Sequence, residues 1–533
     1  MEANPKAKSI PKAIPEAFKK PIVWTIAGSD SGGGAGIQAD LATINALGCH
    51  CCTIITALTA QSSVAVTLVE PVSDAMLLAQ LNTLFADMPP AAIKIGLLAN
   101  QAQLNLLADW LTTHVPQVAM VLDPVMVASC GDSLQQGRGR LDFNPLFELA
   151  TIITPNVAEL AQMTGKEKLQ NEADWHQAAT ALKARIRGSL FAKGGDFPRH
   201  GRLATEAEDL MLLGELNDCS PLHSNMGFKL TSPRVQTDNN HGSGCTLASA
   251  AAAFLAQGYV VPDALVLAKA YINHALALGY RSGAGPGPLG RPGWPESLED
   301  FPAISPLAID GAQKGQAANE VPFATLEANL GIYPVVADIE QLKVLLKAGV
   351  KTIQFRLKQT ATPGSEPERA VIRAIELGRE YGAQLFINDH WQLALAHGAF
   401  GVHLGQEDLA GAPLGRLAEA GLALGLSSHG YFEALLALAN QPSYLALGHI
   451  FPTPTKTMPS KPQGLERLRR YVATFAPRLP TVAIGGIDKH NLGDIRATGV
   501  NSAAVVRAIC AHGAPDEALA ELTAIWEDGH GTF

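Results

Sequence analysis

Several things are scarce in this sequence of 533 residues, and each scarcity removes a class of protein. Aromatic residues make up 6% of the chain, and no basic stripe interleaves with them. With a formal net charge of −9, there is no footprint for a nucleic acid or an anionic membrane surface, so anionic ligands are expected to be handled locally. Cysteine is sparse too. Seven is an odd number, which speaks against a disulfide framework and fits a reducing, cytoplasmic setting. The run Cys49-His50-Cys51-Cys52 reads as structural, because adjacent residues rarely converge on one ion. Long apolar runs are missing: the best, Thr246 to Val261, is alanine-rich, includes Gln257 and Gly258, and is too short and too weakly hydrophobic to span a bilayer. Residues 1–20 carry five lysines and three prolines but no apolar core of signal-peptide length. They are expected to form a disordered leader.

What is present is too long for one core, so two large domains are expected. Residues 21–285 alternate strand-like and helix-like segments, among them Ile22-Ala27, Ala92-Leu98, Val118-Val127, Thr151-Pro155 and Leu190-Lys193. An open, mostly parallel, doubly wound α/β sheet follows, with its ligand crevice beyond the carboxyl ends of the strands. A stretch rich in Pro, Gly and Ala, residues 286–324, reads as a linker in which Trp294 and Phe301 dock on neighbours. From 325 to 533 eight apolar runs recur, each followed by helix-like sequence, starting near Tyr333, Thr352, Gln384, Gly401, Leu422, Tyr444, Thr481 and Asn501. Eight such units imply a (β/α)8 barrel, a TIM barrel, with its chemistry at the carboxyl ends of the strands.

Three motifs in the first domain carry chemistry. The opening strand runs into Ala27-Gly-Ser-Asp-Ser-Gly-Gly-Gly-Ala-Gly-Ile-Gln-Ala-Asp40, where glycines admit a ligand close to the backbone. It fits neither the P-loop nor the dinucleotide spacing. Asn240-His-Gly-Ser-Gly-Cys-Thr246 precedes an alanine-rich helix, so the amides of Gly242, Ser243, Gly244 and Cys245 are expected to face an anion at a positive helix end. The same field favours the Cys245 thiolate, making that thiol a candidate base. Lys193, at a strand end beside two glycines, and the pair Asn156 and Glu159, spaced for one helical face, suit phosphoryl transfer with magnesium-bound water. In the second domain the segment Thr352 to Lys358 reads as a strand with Gln354, Arg356 and Lys358 on one face, which argues for a polyanion site. His403, on a barrel strand, reads as a hydrogen-bonded core histidine rather than a base.

The first domain resembles the hydroxymethylpyrimidine and hydroxymethylpyrimidine phosphate kinases of the ribokinase-like superfamily. The resemblance runs in order through the Gly-rich motif ending at Asp40, Thr-Ala-Leu-Thr-Ala-Gln61, Lys94-Ile-Gly-Leu, Asp123-Pro-Val-Met-Val, Thr154-Pro-Asn-Val-Ala-Glu159, Ala-Lys193-Gly-Gly and Gly-Ser-Gly-Cys245-Thr. It implies that Asp40, Gln61 and Val125 line a pyrimidine pocket, that Lys193 meets ATP phosphates, and that Asn156 and Glu159 organise Mg2+. Cys245 stands where most ribokinase-like enzymes carry aspartate, Leu97 where the family usually shows methionine, and Ser129-Cys130 where it shows Lys-Ser.

The second domain resembles thiamine phosphate synthase through Gln354-Phe-Arg-Leu-Lys358, Ile387-Asn-Asp-His-Trp-Gln-Leu-Ala394, Gly401-Val-His-Leu-Gly-Gln-Glu-Asp408, Gly425-Leu-Ser-Ser-His429, Gly448 through Lys456 and Ala483-Ile-Gly-Gly-Ile487. That family displaces pyrophosphate from hydroxymethylpyrimidine pyrophosphate with the nitrogen of a thiazole phosphate. The resemblance implies that Arg356, Lys358 and Lys456 grip pyrophosphate and that Asp389 and Asp408 hold Mg2+. Gln354, Asn388 and Ser427 would hold pyrimidine or phosphate. Thr453, Thr455, Gly485, Gly486, Val506 and Arg507 would cup the thiazole phosphate, Arg507 standing where many members have serine. Together the halves imply a bifunctional enzyme of thiamine biosynthesis that takes small molecules and ATP as substrates, with homo-oligomerisation left open. The competing readings are a pyridoxal-type kinase fused to a thiazole-aromatising barrel, and a non-catalytic regulator that binds thiamine precursors.

Overall fold

Strands form where the sequence offers short apolar runs closed by Gly, Pro, Asn or Asp. The computed structural model describes residues 19–126, 140–197, 204–215, 226–307, 321–326, 330–409, 411–453 and 461–528. The expected leader up to residue 18, Ser129, Cys130, Thr455 and Lys456 lie outside them. Contacts divide the chain into two units. One comprises Met1–Gly188, Val235–Tyr259 and His274–Trp294; the other comprises Ser189–Arg234, Val260–Asn273 and Pro295–Phe533.

The first unit carries strands β1 (Ile22–Asp30), β2 (His50–Gln61), β3 (Val66–Pro71), β4 (Ala92–Ile95), β5 (Ala119–Leu122) and β6 (Ile152–Ile153). Their order is β6-β5-β4-β1-β2-β3. All pair in parallel except β3, which runs antiparallel to β2. Val23, Trp24 and Ile26 of β1 are wholly buried, as expected of a parallel strand covered on both faces. The helix Ser243–Ala256 is buried almost all round from Thr246 to Phe254, which is why its sequence is small and apolar on every side. Trp294 packs on Phe254 and Tyr259, with ring centroids 5.0 and 5.6 Å apart.

The second unit holds an antiparallel ladder in the order β10-β9-β8-β7, from β7 (Ser189–Lys193), β8 (Glu206–Leu212), β9 (Gly227–Pro233) and β10 (Ala303–Pro306). This ladder is antiparallel, and of its strands the sequence shows only β7. The text Glu-Ala-Glu-Asp conceals β8, because Glu208 and Asp209 are buried as ion pairs, 3.1 Å from Lys229 and 2.7 Å from Lys269. Within the stretch read as a linker, 286–324, Ala303–Pro306 forms β10, and Phe301 docks as expected, stacking on Tyr431 at 5.4 Å.

The same unit contains a closed barrel of eight parallel strands: β11 (Gly331–Val336), β12 (Thr352–Phe355), β13 (Gln384–Asn388), β14 (Gly401–Leu404), β15 (Ala423–Ser428), β16 (Tyr444–Gly448), β17 (Thr481–Ile484) and β18 (Ser502–Val505). β18 pairs back onto β11. Tyr333, Phe386 and Tyr444 fill the barrel interior, so it is a packed core rather than a pore. Among the described residues no helix is long and apolar enough to cross a membrane.

Candidate active sites

In the first unit the Gly-rich segment turns back on the carboxyl end of β1, and one carboxylate organises it. Asp30 accepts hydrogen bonds from the amides of Gly32, Gly34 and Ala35 at 2.8, 3.1 and 2.8 Å, and its Oδ2 lies 3.0 Å from His241 Nε2. Burial alone would push this carboxyl up, but the bonds from His241, Ala35 and Gly32 and the His241 charge bring it below its ordinary value. His241 thereby ties the segment Asn240 to Cys245 to the first loop. Gly242 has φ +79°, and a Cβ there would stand 2.1 Å from the carbonyl oxygen of Gly34. Gly242→Ala is accordingly expected to cost about 1–2 kcal/mol in backbone strain alone and to slow phosphorylation by roughly tenfold. An ADP-release assay on the purified variant measures it.

Cys245 is half-buried in the first turn of the helix Ser243–Ala256. Burial pushes its thiol up to about 11, Asp40 and Asp123 add to that, and Lys94 with the Gly36 amide opposes it. Burial thus works against the charged form of this thiol. The expectation for Asp40 is corrected: it is wholly buried, and its oxygens are taken by Thr25, Ser249 and Lys94 rather than turned toward a ligand. Gln61 ends β2 and exchanges hydrogen bonds with Ser31 in the Gly-rich segment, both 2.8 Å. Val125 packs with Leu97, Val66 and Val69 into an apolar wall. Asn156 and Glu159 form a reciprocal cap on the helix Val157–Met163, Asn156 Oδ1 accepting from the Glu159 amide at 2.8 Å and Glu159 Oε2 from the Asn156 amide at 2.7 Å. Those two oxygens serve the cap, in which Glu159 Oε1 takes no part. Lys193 ends β7 in the other unit, where the following amide, Gly194, donates to Asp209 at 3.0 Å.

At the carboxyl ends of the barrel strands lies a cavity of about 420 Å³. Its wall includes Gln354, Arg356, Asn388, Asp389, Asp408, Ser427, Thr453, Gly485, Gly486, Val506 and Arg507. Lys358 is not among these lining residues. The strand ends at Phe355, three residues short of the expected alternation, so only Gln354 points inward from it, Arg356 follows at the rim, and Lys358 is exposed. Asp389 adopts φ +62°, unusual for a residue with a side chain. Its carboxyl is pushed up by burial and by Glu407, against the pull of Asp408, Arg356 and Asn388. Asp408 is pushed up to about 6 by burial and then by Asp389. A cation beside these two carboxyls would favour their ionised forms. Gly485 and Gly486 both have positive φ, and side chains there would collide with His449 and Phe451.

The comparisons with known proteins can be set beside this geometry. The phosphomethylpyrimidine kinase family matches residues 30–290, and the thiamine monophosphate synthase family matches residues 332–509. A probable thiamine biosynthetic bifunctional enzyme, chloroplastic, of Oryza sativa subsp. japonica is 31% identical over 486 residues, covering 90% of this chain and 83% of the relative. The chain belongs to the bifunctional thiamine biosynthetic enzymes. A thiamine-phosphate synthase of Pectobacterium atrosepticum is 54% identical over 191 residues, covering 36% of this chain and 89% of the relative. A solved pyridoxal kinase from Staphylococcus aureus is 28% identical with a TM-score of 0.45, covering 54% of this chain and 99% of that one. This member of the family joins a phosphomethylpyrimidine kinase half to a thiamine monophosphate synthase half, and the readings as a fused pyridoxal-type kinase or a non-catalytic regulator are not favoured.

Within this bifunctional enzyme the structure brings forward a residue that the sequence motifs contain but do not single out. It is His241, the partner of Asp30. For His403, already read as a core histidine, the structure supplies the partners: Nδ1 lies 2.7 Å from Tyr444 Oη and Nε2 2.8 Å from Ser427 Oγ, while Tyr444 Oη meets Tyr333 Oη at 2.9 Å. Burial and then the Arg356 charge pull His403 down to about 4, so the ring is neutral at physiological pH, in keeping with the expectation of a core histidine. A polar residue between apolar neighbours on a strand was the available signal for it; the partner lay a strand away.

Proposed function

We propose that the kinase half phosphorylates hydroxymethylpyrimidine and then its monophosphate with ATP, and that the barrel condenses the resulting pyrophosphate with thiazole phosphate, releasing thiamine phosphate and pyrophosphate. The observation that carries this reading is the convergence in one cavity of Arg356, the carboxylates of Asp389 and Asp408, and the glycine turn at 485–486. Such a set manages charge rather than protons, as the condensation requires. Arg356 balances the departing pyrophosphate. Gln354 and Asn388, both buried, and Ser427, held by His403, orient the pyrimidine so that its methylene faces the thiazole nitrogen. Glycine amides, Thr453 and the chain at Val506 and Arg507 receive the thiazole phosphate.

Asp389 and Asp408 suit Mg2+, which favours one or two carboxylates together with phosphate oxygens. Bound there, the ion would neutralise charge on the pyrophosphate. The pair also has a readable cost. The Asp408 value of about 6 lies above the ordinary 3.8, so in metal-free protein the folded state binds the extra proton and loses stability as pH rises through that window. Asp408→Asn should therefore raise the melting temperature in chelator at neutral pH by about 2 °C, with the gap closing near about pH 4. A calorimetric pH series decides it.

In the kinase half, Cys245 stands beside the reacting hydroxyl, with the amides from Gly242 to Cys245 facing the transferred phosphoryl group. Val125 with Leu97 and Gln61 bound the pyrimidine, and Lys193 neutralises ATP phosphates. Asn156 and Glu159 organise Mg2+ and its bound water from the end of the helix Val157–Met163. A reducing, cytoplasm-like compartment suits the five described cysteines, all free. Incubation with MgATP, hydroxymethylpyrimidine and thiazole phosphate is expected to yield thiamine phosphate; ligand binding without turnover would refute the reading.

A further inference from the structure

Lysine is rarely found fully buried, and then only with a partner. Lys94, on β4, is wholly buried, with its Nζ 3.1 and 2.8 Å from the two carboxylate oxygens of Asp40. That carboxylate also accepts from Ser249 Oγ at 2.7 Å and from Thr25 Oγ1 at 2.5 Å. A buried ion pair contributes little net stability over an apolar pair of the same shape, so folding alone is a weak reason for this one. Its place is more telling. Ser249 follows Cys245 by four residues on the helix Ser243–Ala256, so the two side chains share a face one turn apart. Asp40 follows Gly36 by four residues on the helix Gly36–Ala46, and the Gly36 amide donates to the Cys245 sulfur. On both helices the ion pair thus lies one turn from the thiol.

We infer that Lys94 is a positioning residue for phosphoryl transfer: held by Asp40, it is the fixed cation that supports negative charge on the Cys245 sulfur. This rests on the reading of Cys245 as the group beside the reacting hydroxyl. The charged groups facing that sulfur are Lys94 from β4, Asp40 from the helix Gly36–Ala46 and Asp123 from beyond β5. β1 contributes the Thr25 hydroxyl to Asp40, while its own Asp30 is committed to His241 and the loop amides. Asp40 and Asp123 oppose charge on the sulfur and Lys94 favours it. Because Asp40 anchors the ammonium, Lys94 keeps its place and its charge whichever state the thiol is in.

The test uses full-length Lys94→Met and the double variant Lys94→Met/Asp40→Asn, which removes both charges at nearly constant shape and so guards against a misfolded single variant. A cooperative thermal melt checks the fold. Iodoacetamide labelling of Cys245, followed against pH by mass spectrometry of its peptide, is expected to shift its midpoint upward by about one pH unit, roughly tenfold slower labelling at a fixed pH below it. The kinase pH–rate profile should move with it. A parental labelling midpoint in folded Lys94→Met, or a midpoint in the double variant no higher than in Asp40→Asn alone, overturns the role of Lys94. A shifted midpoint with an unshifted kinase profile overturns instead the reading of Cys245 on which that role rests.

Discussion

Cys245→Ala is expected to lower pyrimidine phosphorylation by roughly 10²–10⁴-fold, while condensation of supplied pyrimidine pyrophosphate with thiazole phosphate continues at the parental rate. The thiol stands in the first turn of the helix Ser243–Ala256, and it is the ionisable side chain in that turn. Burial keeps its proton in place near neutrality, so the parental kinase rate should climb with pH well into the alkaline range. Replacement by aspartate separates two roles. If the side chain accepts the hydroxyl proton, Cys245→Asp retains more activity than Cys245→Ala and its alkaline limb moves to lower pH, because a carboxylate is already ionised there. If it only shapes the anion hole, aspartate is no better than alanine. Equal loss of both enzyme activities in a folded Cys245→Ala protein would contradict the assignment of this residue to the kinase half.

Arg356→Ala should show the converse: condensation falls by about 10²–10³-fold with pyrimidine phosphorylation intact. Arg356 follows β12 at the cavity rim, and its guanidinium acts on two neighbours as well as on any ligand. It helps keep the Asp389 carboxyl ionised and holds His403 neutral. Removing it leaves the leaving group without its planar, bidentate partner and raises the mutual repulsion of Asp389 and Asp408. The loss should therefore appear in kcat as well as in KM, with pyrophosphate becoming a weaker product inhibitor. An unchanged inhibition constant for pyrophosphate would remove Arg356 from the leaving-group site.

Much of this molecule can be read without coordinates, and the rest resists for identifiable reasons. The eight barrel strands are legible because most are short apolar runs ended by a polar or glycine residue. Their bounds differ from the sequence reading by only a few residues at each end. β8 and β9 are not legible, because buried acidic residues neutralised by distant lysines look like solvated surface. Lys358 was placed by extending an alternation past Phe355, where the chain has already left the strand. The motifs single out Asp40, Asn156 and Glu159 as polar groups at strand and helix ends. What sequence could not disclose was that Asp40 is spent on Lys94 and that the other two cap each other, since both facts depend on which oxygen meets which donor.

The aromatic filling of the barrel has a further bearing on traffic. Tyr333, Phe386 and Tyr444 close the floor beneath the condensation chamber, so what enters by the mouth has to depart by it. Thiamine phosphate and pyrophosphate would then leave through the same doorway that admits their precursors, and a lingering product would bar the next pair of reactants.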